Sequence, residues 1–344
     1  RSPLLLPVLA TDMSRRFVLA TRPEELPGPE HFRIEDVASA DLAVDQVRIE
    51  IHYVALSPWQ GQRLKDFRNF TRPFEIGELI DCDALGQVVE SRSDTIAAGD
   101  WVTGRLGWQE LAVADAGQVQ VIPADAGFAR TLWLTALSSP GLTAYAAFDL
   151  FGRPMPGQTL VVTSAAGSVG AYAVQLGLLA GARVVGIAGG PTKCQHVVEK
   201  LGAQACVDHQ SETFAAGLRA AAADNVHLFF DTVGGPIADA VFDNLAKYAR
   251  VLFVGRTASN NSTTPELDYI NLRQLWAREA SMMCFSRYSY DERWAFARER
   301  MRDLCEAGKL VATDNVVQGF EQTPQALGDM LGGRYTGKVL VQYR

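Results

Sequence analysis

The chain has few cysteines, and their spacing supports neither a disulfide framework nor a zinc cage. Among its 344 residues are Cys82, Cys194, Cys206, Cys284 and Cys305, an odd number without a Cys-x-x-Cys pair. A catalytic zinc would also need a set of Cys, His or Glu ligands with open-site spacing, which the sequence does not offer. We therefore expect no metal ion, no disulfide framework and a reducing, cytoplasmic compartment.

An excess of basic residues and a membrane-spanning run are missing as well. Lys and Arg total 32 against 39 Asp and Glu, for a net charge of −7, and the basic residues are scattered, so nothing favours nucleic acid. The apolar run at 4–10 is too short to span a bilayer, and charge and glycine interrupt the run at 173–188. Neither nucleic acid nor a membrane is expected as a partner.

What the sequence does contain is typical of a soluble enzyme with two domains. Its length suits two cores, and 48% hydrophobic with 21% charged residues is an ordinary composition. Met13 heads a natural-looking start, MSRRFVLATRP. We therefore expect residues 1–12 to be a leader or an addition outside the fold.

The most informative stretch is 158–193, QTLVVTSAAGSVGAYAVQLGLLAGARVVGIAGGPTK. Its apolar, β-branched run at 159–163 predicts a buried strand, because it is too short for a helix. Residues 169–180 are almost wholly apolar and of helix length, and 183–187 predicts a second buried strand. Together they predict a βαβ unit.

A turn of small residues joins the first strand to the helix. It matches the dinucleotide fingerprint G-x-G-x-x-G, with Ala165 in the place of the first glycine. A chain turning from strand into helix aims free N–H groups and the positive end of the helix dipole at a pyrophosphate, and Gly167 has no Cβ to block it. We predict nucleotide contacts, with a structural glycine turn as the alternative, at Ala166, Gly167, Ser168, Val169 and Gly170.

The residues after the second strand favour NADP over NAD. An NAD site usually has an Asp or Glu here for the ribose 2′-hydroxyl, but Ile187 is followed by Ala-Gly-Gly-Pro-Thr-Lys. No carboxylate in that run would repel a 2′-phosphate, and Lys193 could pair with the phosphate. Gly189, within the run, is also predicted to contact the cofactor. The alternative is that Lys193 is an ordinary surface charge.

The rest of the chain predicts a β-rich domain and an α/β domain. Short alternating strands such as 47–51 recur as far as about Leu134, in a partly barrel-like pattern, and 134–150 is a helical passage. Strands and helices then alternate, which predicts a parallel, doubly wound sheet: strands at 205–208, 226–231, 251–254 and 282–285, helices at 212–223, 236–248 and 291–307. The tail from Lys309, with a helix begun by Pro324 and a strand at 338–342, suits the first domain, so we expect the ligands in a cleft between the domains, near a polar loop at 257–264.

Several motifs in order resemble one family: AAGDWVTGRLGWQELAV (97–113), GLTAYAAF (141–148), SAAGSVGAYAVQLGLLAGARVVGIAGGPTKC (164–194), FDTVGG (230–235) and GKVLVQ (337–342). From Met13 to its end the chain resembles the zinc-independent medium-chain dehydrogenase/reductases, in the leukotriene and prostaglandin reductase branch with plant alkenal double-bond reductases and bacterial curcumin reductases. The resemblance implies an α/β fold with a Rossmann NADP-binding domain at 139–308 and a β-rich, GroES-like catalytic domain at 13–138 and 309–344. It also implies a homodimer.

The resemblance assigns further cofactor contacts. His209 stands where the branch often has a tyrosine beside the 2′-phosphate, although an exposed loop histidine is the alternative, and Thr232 replaces an asparagine near the adenosine. The loop over the nicotinamide ribose corresponds to 255–260. The remaining assigned positions, of which the aromatic pair could equally be core, are Gly255, Ser259, Asn260, Phe285, Tyr288 and Tyr335.

The implied reaction is NADPH-dependent reduction of an activated C=C bond in an α,β-unsaturated ketone or aldehyde. The protein would orient the cofactor and stabilise the oxygen on which enolate charge develops. Three positions depart from the branch: Asn260 replaces a loop tyrosine, Tyr335 replaces an asparagine, and Trp59 replaces the tyrosine of an Asp-Pro-Tyr at the substrate mouth. We predict catalytic roles for Asn260, Tyr288 and Trp59, with a quinone reductase or a non-catalytic NADPH-binding scaffold or redox sensor as alternatives.

Overall fold

The structure, a computed structural model, describes most of the chain. The residues described are 13–66, 72–124, 127–223, 225–256, 271–284, 290 and 293–344. The predictions for residues 1–12, for the loop at 257–264 and for Ser259, Asn260, Phe285 and Tyr288 lie outside this set.

The described elements alternate between strands and helices after an initial run of strands. The strands are β1 (Met13–Leu19), β2 (Phe32–Ala38), β3 (Gln46–Ala55), β4 (Asp83–Ser91), β5 (Trp101–Arg105), β6 (Leu111–Asp115), β7 (Val119–Ile122), β8 (Thr159–Val162), β9 (Arg183–Ala188), β10 (Ala205–Asp208), β11 (Val226–Asp231), β12 (Leu245–Phe253), β13 (Ser281–Cys284), β14 (Asp314–Gln318) and β15 (Lys338–Gln342). The α-helices are α1 (Pro58–Leu64), α2 (Ser139–Phe151), α3 (Ser168–Leu179), α4 (Pro191–Glu199), α5 (Phe214–Ala222), α6 (Gly235–Phe242), α7 (Arg273–Ala277), α8 (Trp294–Glu306) and α9 (Thr323–Leu331). Short 3₁₀ helices lie at Pro29–His31, Ala116–Gln118, Arg130–Leu134 and Phe320–Gln322.

The chain divides into two compact units, each made of separate chain segments. The first unit comprises Arg1–Asp125, Val316–Gly332 and Leu340–Arg344, and the second comprises Ala126–Asn315 and Gly333–Val339. Among the described residues, none of the helices combines the length and the apolar character needed to cross a bilayer.

A seven-stranded sheet with β3 at its centre lies mostly in the first unit. The strand order is β14-β15-β3-β4-β5-β7, and β6 also pairs with β3. Residues 46–50 of β3 pair with β6 and residues 53–55 pair with β15, while the register against β4 shifts twice along the strand. Such bulges bend a strand, so one long strand can serve three partners. A separate antiparallel pair, β1 and β2, completes the strands of this unit.

The second unit contains a six-stranded sheet in the order β10-β9-β8-β11-β12-β13. All neighbours are parallel. With the strands numbered along the chain, this is the order 3-2-1-4-5-6 of a dinucleotide-binding sheet, whose ligand site lies where the order reverses, at the carboxyl ends of β8 and β11. Fully buried apolar side chains from the sheet and from α5 and α6 form the core there, among them Val161, Val185, Phe229, Val251, Leu218 and Val241.

The predicted fold class, a parallel α/β sheet with a β-rich domain, is confirmed, but one element was wrong. The helix predicted at 236–248 ends at Phe242, and Leu245 already begins β12. Asn244 stops the helix, because its side chain donates to the Ala240 carbonyl at 2.8 Å while its own carbonyl accepts from the Val226 N–H at 2.9 Å. Tyr248 then takes a positive φ of 63° where the β11 register shifts, an irregularity that the sequence pattern does not reveal.

Candidate nucleotide-binding site

The turn from β8 into α3 forms the floor of the predicted diphosphate site. The Gly167 N–H closes the turn on the Ser164 carbonyl at 2.7 Å, and the Ala165 N–H donates to the Ile187 carbonyl of β9 at 3.0 Å. Gly167 caps α3 without a side-chain hydrogen bond. The first-turn N–H groups of Ser168, Val169 and Gly170 have no carbonyl one turn earlier in the helix to accept them. A diphosphate at this helix terminus would accept these N–H groups and meet the positive end of the helix dipole.

Gly170 lets the helix start so close to the strand. A Cβ at this position would overlap the Ser164 carbonyl oxygen and press on Ala165, so only glycine permits this approach. Ser164 itself has a φ of 48°, in the left-handed region where a non-glycine residue carries strain. The tight turn brings the N–H groups of α3 to the strand end, so the residues present fit a dinucleotide.

Buried polar groups tie the carboxyl ends of β8 and β11 together. The Thr163 hydroxyl donates to the fully buried Asp231 carboxylate at 2.8 Å and accepts from the Thr232 N–H at 2.9 Å. The same carboxylate accepts from the Val233 and Gly234 N–H groups at 2.9 and 3.1 Å. This network fixes the backbone at the switch point, including Thr232.

A segment near the end of the chain lies along the same turn. The Gly337 N–H donates to the Ala166 carbonyl at 2.6 Å, and Gly337 pairs with Gly167 as an isolated parallel bridge. The Lys193 ammonium donates to the Gly333 carbonyl at 2.6 Å. Residues 333–339 therefore join the diphosphate turn to Lys193, and Tyr335 lies within this segment.

The loop after β9 is organised by a carboxylate from the neighbouring strand. Asp208, the last residue of β10, accepts from the Gly190 N–H at 2.8 Å and from the Gln210 N–H at 2.9 Å, and these bonds hold its pKa below the usual value. A Cβ added at Gly189 would lie 3.0 Å from the ring nitrogen Nε2 of His209. The loop therefore brings Gly189 and His209 together.

Lys193, the basic residue predicted to pair with a 2′-phosphate, lies in the first turn of α4. Lys193 is half-buried in α4, and this burial lowers the pKa of its ammonium. A bound phosphate would favour the charged form again. The run after Ile187 indeed lacks a carboxylate, but the fold places Asp208 beside the loop, which reasoning on that run alone missed. Parallel strands end at the same edge of a sheet, so the position of Asp208 at the end of a strand could have indicated that it lies beside the loop after β9.

We expect Asp208→Ala to weaken NADPH binding by roughly three- to tenfold, because the loop loses the acceptor for two N–H groups. Asp208→Asn is the matched control: both N–H groups donate to the same oxygen, Oδ1, which the amide retains while the negative charge is gone, so its affinity should stay at or above that of the parent. Titration of cofactor fluorescence measures both. Equal affinity for the Ala variant and the parent would show that Asp208 does not order the loop.

The remaining predicted residues fall into two groups. Thr232 follows the end of β11 at the switch point, and Gly255 follows the end of the neighbouring β12, where its N–H lies 3.3 Å from the Asp231 carbonyl. Their contacts with a cofactor stay predictions, as do those of the residues outside the described set. The sequence missed Thr163, Asp231 and Gly337 as parts of the site, because their roles depend on contacts between distant segments.

Trp59 belongs to the first unit, on α1. Its half-buried ring lies under two guanidinium groups, with the Arg105 carbon Cζ at 4.8 Å and the Arg63 carbon Cζ at 5.9 Å from the ring centre. The same arginines line a polar cavity of about 700 Å³ together with Asp81 and Glu78. A substrate role for Trp59 stays a prediction.

Within the described ranges, no group of three or more His, Cys, Asp or Glu side chains is arranged to hold a metal ion.

Two family models match the chain: "N-terminal domain of oxidoreductase" over residues 15–122 and "Zinc-binding dehydrogenase" over residues 168–303. The word zinc in the second description is part of the name of that family model. The two matches cover the β-rich part and most of the parallel sheet.

Curated relatives and solved structures match along nearly the whole chain. The NADPH-dependent curcumin reductase of Escherichia coli (strain K12) is 33% identical over 334 residues, covering 96% of each chain. The NADP(+)-dependent 2-alkenal reductase of Nicotiana tabacum is 28% identical over 291 residues, 84% of each chain. The crystal structure of CurA from Vibrio vulnificus in complex with NADPH superposes with a TM-score of 0.87 at 30% identity, covering 96% of this chain and 99% of that one.

Proposed function

This chain belongs to the zinc-independent medium-chain dehydrogenase/reductases, in the branch of the curcumin, alkenal and prostaglandin reductases, and we propose that it reduces activated C=C bonds with NADPH. The substrate class is α,β-unsaturated ketones or aldehydes. The observation that carries the proposal is the turn at 165–170, placed at the switch point of a parallel sheet and followed by a lysine in place of an acidic residue. Two of its relatives are reductases named for NADPH or NADP(+).

The second unit supplies the groups that would hold the cofactor. The N–H groups of residues 168–170 would bind the diphosphate, since they are the ones for which the helix provides no acceptor one turn earlier. Lys193 would pair with the 2′-phosphate, with His209 beside it. Thr232 and Gly255 would line the path from adenosine to nicotinamide at the switch point, and Tyr335 would approach the cofactor from the segment at 333–339.

Bound NADPH supplies the hydride. The chain must orient the substrate and offer a hydrogen-bond donor to the oxygen on which negative charge develops. A neutral donor is enough, and we propose Asn260 through its amide, with the Tyr288 or Tyr335 phenol as the other candidates. Water can protonate the carbon, and we propose that Trp59 shapes the substrate side in the first unit.

The test is a panel of acceptors with NADPH absorbance as the readout. We expect enones and enals to be reduced faster than quinones, because relatives named for a substrate include a curcumin reductase and a 2-alkenal reductase. Product analysis by mass spectrometry should show a saturated C–C bond and an intact carbonyl. Faster turnover of quinones would favour a quinone reductase, whereas tight NADPH binding without turnover of any acceptor would favour a non-catalytic scaffold.

We also propose a cytoplasmic homodimer. In the sheet of the second unit β13 is a terminal strand, and exposed apolar side chains lie close by in sequence, Leu272 and Trp276, the latter 83% exposed. Exposed apolar groups beside a sheet edge favour pairing with a second copy. Light scattering should give twice the mass of the 37.4 kDa chain; a single-chain mass would exclude the dimer. Cell fractionation tests the compartment.

A further inference from the structure

The polar cavity of the first unit contains more positive than negative charge. Its volume is about 700 Å³, a size typical of small-molecule sites. The charged residues that line it are Arg63, Arg72, Arg105, Glu78 and Asp81. Three guanidinium groups against two carboxylates leave an excess of one positive charge among the described residues of the cavity wall.

The two exposed arginines of the cavity already engage its carboxylates. Arg72 donates to both oxygens of Glu78 at 2.7 Å, the length of a strong charge-assisted bond. Arg105 donates to Asp81 through two of its nitrogens. The negative charge of the wall is therefore largely balanced by these two arginines.

Arg63 is the buried arginine of the cavity, and its charge is less well balanced. Its side chain is only 8% exposed, and its carbon Cζ lies 3.7 Å from the centre of the Phe74 ring. It donates to Glu78 at 3.2 Å and to Asp81 at 3.4 Å, longer than charge-assisted bonds usually are, and to the Arg72 carbonyl at 3.0 Å. Two of its five N–H groups are left without an acceptor among the described residues. Burial lowers the pKa of this guanidinium in spite of both carboxylates, which is the direction expected for a buried charge with too little compensation.

The remainder of the cavity wall includes apolar surface. Gly107 has a φ of 75°, and a Cβ added there would lie 2.8 Å from the Leu79 side chain, so the wall is closely packed at this point. The apolar lining residues are Leu79, Leu106, Ala112, Val113 and Ala114. A ligand that fits this wall combines an apolar body with a negative charge.

The charge of the wall favours a monoanion. A phosphate with two negative charges would exceed the single positive excess and would be repelled by Glu78 and Asp81. A carboxylate carries one charge, and its two oxygens can accept two parallel N–H groups from one guanidinium.

We propose that this cavity binds an organic carboxylate, whose oxygens accept N–H groups of Arg63 and whose apolar body lies against Leu79, Leu106 and Val113. The ligand supplies the acceptors that the buried guanidinium lacks. Two sources share this chemistry: an acceptor substrate that carries a carboxylate, and an acid that is not reduced. The site lies within the first unit and does not rest on the proposed function.

The test is calorimetric titration of the full chain with octanoate and with its neutral counterpart, octanamide. We expect octanoate to bind roughly tenfold more tightly or better, because only the acid forms a charge-assisted contact with Arg63. Inorganic phosphate at the same ionic strength should bind more weakly than octanoate, since it has no apolar body. Equal affinities for octanoate and octanamide, or tighter binding of phosphate, would overturn the proposal.

Variants of opposite charge effect locate the site. Arg63→Met keeps an apolar side chain of similar length without the charge and should bind octanoate roughly tenfold more weakly. Asp81→Asn removes a competing carboxylate and should bind octanoate roughly two- to fivefold more tightly, a gain that a purely structural ion pair does not predict. The matched control is Arg33→Gln, at an exposed arginine of β2 paired with Glu35, which should bind as the parent does.

The Asp81 variant keeps the proposal testable if Arg63→Met does not fold. Unchanged octanoate affinity in either variant, or a loss in Asp81→Asn, would contradict a carboxylate site at Arg63.

Steady-state kinetics separate the two sources of the acid. Competition of octanoate with an enone acceptor identifies the cavity as part of the substrate side, whereas octanoate binding without an effect on turnover identifies a separate ligand. A chain that binds octanoate but reduces no acceptor counts against the proposed function alone. A chain that reduces enones but binds no octanoate counts against the carboxylate site alone.

Discussion

Lys193→Ala should lose about 1–3 kcal/mol of NADPH binding, roughly five- to 150-fold in Kd, while NADH binding changes little. The ammonium is half-buried at the end of the β9 loop, where one charge-assisted contact with a 2′-phosphate would not be fully screened. NADH has no such phosphate and cannot use the charge. Isothermal titration with both cofactors, or their separate KM values, measures the discrimination.

Two further variants separate charge from structure, because Lys193 also donates to the Gly333 carbonyl. Lys193→Gln keeps a donor but not the charge, so it should behave as the Ala variant toward NADPH. Lys200→Ala removes an exposed lysine just after the end of α4 and should change neither cofactor's affinity. Equal losses for NADPH and NADH in Lys193→Ala would mean that the residue serves the fold rather than the phosphate.

Gly337→Ala should destabilise the second unit by about 3 kcal/mol or more. Gly337 has a φ of 80°, which costs an alanine roughly 1–2 kcal/mol, and the added Cβ would overlap the Thr313 carbonyl oxygen. Relief of that overlap would break the hydrogen bond from Gly337 to Ala166. Urea unfolding followed by fluorescence gives the change in stability, and NADPH titration should show a parallel loss of affinity.

Gly308→Ala is the matched control. Gly308 also has a positive φ, 63°, but nothing lies within 4 Å of its added Cβ, so only the backbone cost of about 1–2 kcal/mol should appear. The difference between the two variants measures the overlap with Thr313. If both lost the same stability, the close packing of the segment at 333–339 on the diphosphate turn would be contradicted.

Local patterns predicted the parts of the site that lie within one βαβ unit. The β-branched run before Ser164 and the helix after it are almost wholly apolar and are separated by a turn of small residues, so the strand, turn and helix lie within one or two residues of their predicted bounds. The choice of NADP over NAD also came from a short run, which ends at Lys193. Such features depend on neighbours in sequence, and sequence reasoning handles them well.

The parts that the sequence did not reveal depend on contacts between distant segments. Asp231 and Thr163 lie on different strands and meet only when the sheet forms, and Asp208 reaches a loop that follows another strand. Tyr248 shows the same limit for secondary structure, since its helix-compatible neighbourhood becomes an irregular strand once β11 and β12 pair. At such positions the pairing of strands in the folded sheet overrides the local secondary-structure propensity of the sequence.

The bond from Gly337 to Ala166 has a bearing on when the protein can acquire its coenzyme during synthesis. The glycine-rich turn leaves the ribosome long before residue 337 has been translated, and contacts between such distant positions form late. A nascent chain released before this point would contain the turn but not the hydrogen bond from Gly337 to Ala166. Coenzyme loading should therefore be complete only after this segment has been translated, and premature termination before residue 337 would leave a chain that lacks the bond to Ala166.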